Sequence, residues 1–299
     1  MSEVPPPVRR LAEEREAARR RKDFRAADEL RDRIALAGYE VTDTSDGPVL
    51  APRVDTAPVA RRSEDVPSLL SAPPSTDATV EWIVQGWPED VVRGIESFRR
   101  HDGGRSVQHV VVEATGRSAY SWPDGVELIR IEPKAGWAAA RNAGLRRAKG
   151  EIVLLVDGSL EASGDVFGPI ARSMRDMTIG VTGPFGIATV DLHEFRESPG
   201  PDVDAIEGYL MAFRRELLVG GLRFDEKFKF YRTADVELSF QVKAMGLRAA
   251  VTPVPVRRHI HRIWAAMSEG DRARLSKRNY YRFLDRWRGR TDLLVSSKN

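Results

Sequence analysis

Apolar and polar positions follow several rhythms along the chain. From Arg9 to Leu36, the residues Leu11, Ala18, Phe24, Ala27, Leu30 and Ile34 recur near helical spacing among charges, which predicts a pair of amphipathic helices. Asp23 is placed to cap the second helix and Gly38 to close it. Glu40–Thr42 and Val49–Ala51 flank Asp46-Gly47, the turn chemistry of a small hairpin. From about Arg53 to Asp77 the periodicity stops, and Pro, Ala, Ser, Thr and Asp dominate. That stretch reads as a flexible linker.

From Thr79 short apolar runs alternate with helical patterns. Strands are expected at Val80–Val84, Val107–Val112, Glu127–Ile131, Ile152–Val156 and Ile179–Thr182. Helices are expected from Pro88 to Arg99, through the Ala-rich segment after Ala135, and around Val166–Met174. This alternation predicts an α/β fold with a mostly parallel, Rossmann-like sheet between helices. Ile152–Val156 is continuously apolar, as suits a central strand covered on both faces. It runs into Asp157-Gly158, so a carboxylate stands at the carboxyl edge of the sheet, where open α/β sheets bind ligands. Ala138, Ala139, Ala140, Ala143 and Gly144 let the preceding helix lie close to sheet or ligand.

The tail from Pro253 to Arg290 carries 11 Arg and Lys against three acids, with Tyr280, Phe283, Leu284 and Trp287 on one side of its expected helix. The favoured reading docks that apolar side on its own domain. The alternative lays it on an anionic membrane surface. The domain boundaries that follow are 1–52 for the hairpin, 53–77 for the linker, 78–266 for the α/β domain and 267–299 for the basic tail.

Composition narrows the chemistry. No cysteine occurs in 299 residues, which removes disulfides and thiolate metal sites and fits a reducing cytosol. A net charge of +3 is too small for the whole chain to act as a polyanion binder. No apolar run approaches the roughly 20 residues of a membrane span. The chain is expected to be cytoplasmic, at most peripheral to a membrane.

The stretch Ala135-Gly-Trp-Ala-Ala-Ala-Arg141-Asn142-Ala-Gly144, then Lys149-Gly-Glu, then the strand ending at Asp157-Gly-Ser159, resembles the core of the family 2 glycosyltransferases. Gly221-Leu-Arg-Phe-Asp225-Glu226-Lys-Phe and Ala234-Asp235 resemble that family's later motifs, and the likeness runs from about Thr79 to Trp264. It implies a GT-A fold and a hexosyltransferase-type enzyme. Such an enzyme moves a sugar from a nucleotide-diphosphate donor to a hydroxyl acceptor with inversion. It also implies Mg²⁺ or Mn²⁺, held by Asp157 and His261, and a donor site of Asp157, Ser159, Arg141, Asn142 and Glu113. Asp235 becomes the base. Two positions depart from the family pattern. Ser159 replaces the second metal acid, and Ala234 the first acid of the helix pair. They leave open a second reading, a binding or regulatory protein on the same fold.

Each candidate also has a plain structural reading. Asp157 suits a strand-end turn, Asp235 a helix cap, Arg141 a salt bridge, and Trp87 either base stacking or packing. The string Ala18-Arg19, Lys22-Asp23-Phe24, Ala27-Asp28-Glu29, Arg31-Asp32, Gly38, Asp43 and Gly47 resembles the C-terminal tail of cysteinyl-tRNA synthetases. That likeness implies tRNA contact, but the near balance of charge in this block favours a solvated helical face.

Overall fold

The computed structural model describes residues 4–44, 47–52, 58–116 and 120–297. They fall into two compact units, Met1–Pro58 with Arg117–Asp124, and Val59–Gly116 with Gly125–Asn299.

In the smaller unit, helix α1 (Pro6–Arg20) and helix α2 (Phe24–Leu36) precede an antiparallel pair, β1 (Tyr39–Thr44) and β2 (Gly47–Pro52). The Asp23 carboxylate accepts the Ala26 N–H at 3.1 Å and so caps α2 as expected. Gly38 takes a left-handed φ of 83° just past the helix, where an L side chain is disfavoured. Asp46 lies outside the described residues. Val8, Ala12 and Ile34 form the buried centre. Because that core is small, a charged clamp has weight. The buried Arg15 guanidinium donates to both Asp43 oxygens at 2.6 and 3.0 Å.

The larger unit is built on a nine-stranded mixed sheet. Its elements run β3 (Val59–Ala60), β4 (Thr76–Val84), α3 (Pro88–Arg100), β5 (Val107–Glu113), β6 (Val126–Ile131), α4 (Trp137–Leu145) and β7 (Gly150–Val156). Next come β8 (Leu160–Ala162), α5 (Phe167–Ser173), β9 (Ile179–Gly183), β10 (Gly186–Ala188), β11 (Arg196–Ser198), β12 (Asp202–Val203), β13 (Ala205–Ile206) and β14 (Leu210–Arg214). The last are α6 (Glu216–Val219), α7 (Ala234–Ala244), β15 (Arg248–Val251), β16 (Val256–Arg258), α8 (Arg262–Ala266) and α9 (Glu269–Trp287). The order across the sheet is β12-β15-β9-β14-β7-β4-β5-β6-β3.

The expected parallel half is present, with β7, β4, β5 and β6 side by side. β14 breaks the rule. It lies antiparallel between β7 and β9, so the C-terminal edge of β7 meets the start of β14. The apolar alternation that suggests parallel strands carries no record of direction for Leu210–Arg214, since a strand buried on both faces reads alike either way. Gly150 opens β7 against the backbone of β4. A Cβ there would lie 2.2 Å from Ala78 C and Thr79 N.

The linker expected at 53–77 does not extend that far. Val59–Ala60 pairs in parallel with Arg130–Ile131 at the sheet edge, and β4 begins at Thr76. Between them Ser63 and Val66 are buried, and the Arg146 guanidinium donates to Val66 O at 2.6 Å. Pro- and Ser-rich composition marks a lack of periodicity, and here the segment is held by its backbone carbonyls instead. The basic tail is no separate body either. Phe283, Leu284 and Trp287 of α9 are buried in the main core, with Phe283 edge-on to Phe240 of α7 at 5.0 Å.

Candidate active site

Asp157 follows the last residue of β7, and its N–H donates to Tyr209 O at 3.0 Å. Its two oxygens have separate tasks. Oδ1 accepts the Ser159 N–H at 2.8 Å and the Ser159 hydroxyl at 2.5 Å, a side-chain turn of the kind Asp-Gly sequences form. Oδ2 stands 3.3 Å from His261 Nε2. Burial raises the Asp157 carboxyl, but the His261 and Ser159 hydrogen bonds outweigh it and hold the group below its ordinary value.

His261 is fixed from its other side. Its Nδ1 accepts the Trp264 N–H at 3.2 Å and caps α8. With Nδ1 accepting, the neutral ring carries its proton on Nε2. That proton points at Asp157. The ring also lies against Tyr231, 4.7 Å between centroids.

Asp235 is in the first turn of α7. Its Oδ2 accepts the Gly208 N–H at 2.8 Å, and its Oδ1 the Val236 N–H at 2.9 Å. Burial pushes its carboxyl above the ordinary value, against those two bonds. The preceding Thr233 has a φ of 70°. A β-branched residue in the left-handed region is a strained conformation, and here it sets the entry of α7 that aims Asp235 at the loop before β14.

Asp157, Asp235 and His261 line one cavity of about 650 Å³, within the usual range for small-molecule sites. Tyr209, Tyr231, Trp264 and Tyr280 form aromatic wall, and Glu207, Arg232 and Lys277 add charge. The Arg232 guanidinium lies over the Trp264 ring, 4.9 Å from its centroid. Asp157 and His261 also border a smaller hollow beside Gln85, Gly86, Trp87 and Ser159. Trp87 holds a left-handed φ of 47° there.

Other candidates occupy structural positions. Arg141 lines the large cavity, but its fork is turned to the strands. It donates to Glu81 O and Val156 O, each at 3.2 Å, and stands 3.7 Å from Glu81 Oε2. It thus holds the residue before Asp157. Asn142 uses its whole amide on the chain. Its Nδ2 donates to Phe224 O at 2.9 Å and its Oδ1 accepts the Phe224 N–H at 3.0 Å. Glu113 is buried, pairs with Arg130 at 3.2 Å and bonds Thr115; it lines neither cavity. For Asn142 and Glu113 the expected donor contact is therefore replaced by packing within the chain. Glu161, two residues beyond Ser159, pairs with His259 at 2.7 Å.

Glu207, Tyr209, Tyr231 and Arg232 have no strong motif of their own. Only their position beside β14 and Asp235 points to them. Among the described residues no group of three or more His, Asp or Glu forms a metal cluster. The Asp157–His261 pair still fits a divalent cation as two adjacent ligands, since bonds of about 2.1 Å at right angles put ligand atoms about 3 Å apart. Among the described residues no helix is long and apolar enough to cross a membrane.

Residues 101–233 match the family model described as glycosyl transferase family 2. A crystal structure of GalNAc-T7 with UDP, GalNAc and Mn²⁺ superposes with a TM-score of 0.60 at 17% identity, covering 73% of this chain and 49% of that one. A cysteine–tRNA ligase from Chlamydia abortus is 54% identical over 46 residues, and one from Methanosarcina acetivorans is 50% identical over 46 residues. Each match spans 15% of this chain and only 10% of the ligase. The chain therefore has a GT-A fold, with residues 101–233 similar to the glycosyl transferase family 2 model and a short segment that resembles part of cysteine–tRNA ligase.

Proposed function

We propose that the protein transfers a hexosyl group from a nucleotide-diphosphate donor to a hydroxyl acceptor, with inversion. The observation that carries this reading is the Asp157–His261 pair at the carboxyl edge of β7, which lines one cavity together with Asp235. Asp157 and His261 would hold Mg²⁺ or Mn²⁺ together with the donor diphosphate. A cation there supplies charge stabilisation for the leaving diphosphate. Use of Nε2 as a ligand would move the ring proton to Nδ1, against the cap on α8.

The chain's own residues carry the rest. Arg232, whose guanidinium lies over the Trp264 ring, adds positive charge where the diphosphate leaves. The acceptor oxygen attacks the anomeric carbon from the face opposite the leaving group. The C–O bond to the diphosphate breaks as the new C–O bond forms. Asp235 takes the acceptor proton, and its raised carboxyl makes it a better base than an ordinary aspartate.

Thermal-shift measurements with UDP- and GDP-sugars, with and without Mn²⁺, test the reading. Ligands of the folded state raise the melting temperature. At least one nucleotide-sugar should do so, and slow release of free sugar should accompany it. A flat response to all of them would leave a binding or regulatory protein on the same fold.

A further inference from the structure

We infer that Glu207 is the residue that holds the acceptor, taking hydrogen bonds from paired hydroxyls of a neutral sugar. The inference rests on the transferase reading and gives the acceptor its chemical class.

Glu207 lies in the turn between β13 and β14. Its N–H donates to Phe185 O at 2.8 Å, which fixes the turn. The next N–H, from Gly208, donates to Asp235 at 2.8 Å. The two carboxylates therefore edge the same cavity, one bound by backbone N–H groups and the other not. Among the described residues nothing donates a hydrogen bond to the Glu207 carboxylate. The nearby cations act on it through space without a hydrogen bond. Arg258 lies over the Phe185 and Tyr209 rings, 4.6 and 5.3 Å from their centroids, and Arg232 lies over Trp264. A partly buried carboxylate without donors is costly. An incoming pair of hydroxyls removes that cost through charge-assisted hydrogen bonds.

The rest of the cavity selects what carries those hydroxyls. Tyr209, Tyr231, Trp264 and Tyr280 offer ring faces and hydroxyl tips, which suit the C–H face and the edge of a pyranose. The charge is mixed. Asp157, Glu207 and Asp235 would repel an anionic acceptor, while Arg232 and Lys277 would repel a cationic one. A neutral polyhydroxyl ring meets neither penalty.

The test uses the full-length protein and methyl pyranosides of glucose, galactose, mannose and N-acetylglucosamine. Saturation-transfer NMR reads pyranoside binding, and free-sugar release reads donor hydrolysis in the same samples. At least one pyranoside should bind wild type and accept sugar. Glu207→Gln, which keeps the shape, should raise its KM roughly tenfold or more, in line with loss of a charged hydrogen bond, while donor hydrolysis remains detectable. Unchanged acceptor binding in Glu207→Gln with intact hydrolysis overturns this assignment alone. Binding only by ethanolamine or glycerol phosphate, added as cationic and anionic controls, also overturns it. Absence of donor hydrolysis in wild type overturns the transferase reading itself.

Discussion

His261 faces Asp157 with its Nε2 at 3.3 Å from Oδ2, while its Nδ1 accepts the Trp264 N–H. One ring therefore joins the end of the central strand to the start of α8. That link ties a carboxylate in the first half of the larger unit to a histidine near its end. It also makes the histidine's protonation a local structural variable.

Replacing His261 separates these roles. His261→Ala should remove the cap on α8, at a cost of about 1 kcal/mol, and abolish the Mn²⁺ dependence of donor binding. His261→Asn can still cap α8 and should recover the stability without the cation response. Chemical denaturation and titration with Mn²⁺ measure the two effects independently. Equal stability in both variants would show that the cap contributes nothing.

Asp235→Asn should keep donor binding and reduce transfer by at least a hundredfold, the usual range for loss of a general base. The wild-type rate should rise with pH as Asp235 loses its proton. Because its carboxyl is raised, that rise should sit above the ordinary carboxylate range. Glu207, Arg232 and the Gly208 and Val236 N–H groups surround it. A pH–rate profile of kcat/KM checks the position of the acid limb. A wild-type rate already flat at pH 4 would contradict the assignment.

Glu81 gives a stability prediction away from the chemistry. It is fully buried in β4, and burial pushes its carboxyl up to about 8 despite Arg141. The folded state therefore holds a proton that the unfolded state has lost between about pH 4.5 and 8. In that window the unfolded form binds fewer protons, so Glu81's contribution to stability falls as pH rises. Glu81→Gln removes this term. The difference in unfolding free energy between wild type and variant should shift toward the variant from pH 6 to pH 8.5, by more than about 1 kcal/mol. Urea melts at both values measure it.

Gly144 packs against the same side chain. A Cβ there would lie 2.6 Å from Glu81 Oε1. Gly144→Ala should destabilise the larger unit by about 1–3 kcal/mol, the usual cost of overpacking. Thermal melts check it, and the double variant with Glu81→Ala should recover most of the loss.

The α/β architecture was legible because Ile152–Val156 and its neighbours are short apolar runs with clear breaks. The cap at Asp23 and the docked face of α9 could be read for the same local reasons. Strand direction at Leu210–Arg214 could not, because a doubly buried strand carries no polarity signal. Asp157, His261 and Asp235 were nameable from motif position, and they share the cavity. Asn142 and Glu113 were nameable too, yet each is satisfied by neighbours far along the chain, Phe224 and Arg130, that spacing does not reveal. Glu207 and Arg232 escaped notice because a lone charge acquires meaning only from the aromatic rings around it.

The most direct measurement is isothermal titration of the strongest-binding nucleotide-sugar into wild type and Asp157→Asn, with circular dichroism to verify folding. The folded variant should bind at least tenfold more weakly and lose any gain from Mn²⁺. Equal affinity in the two proteins would contradict it.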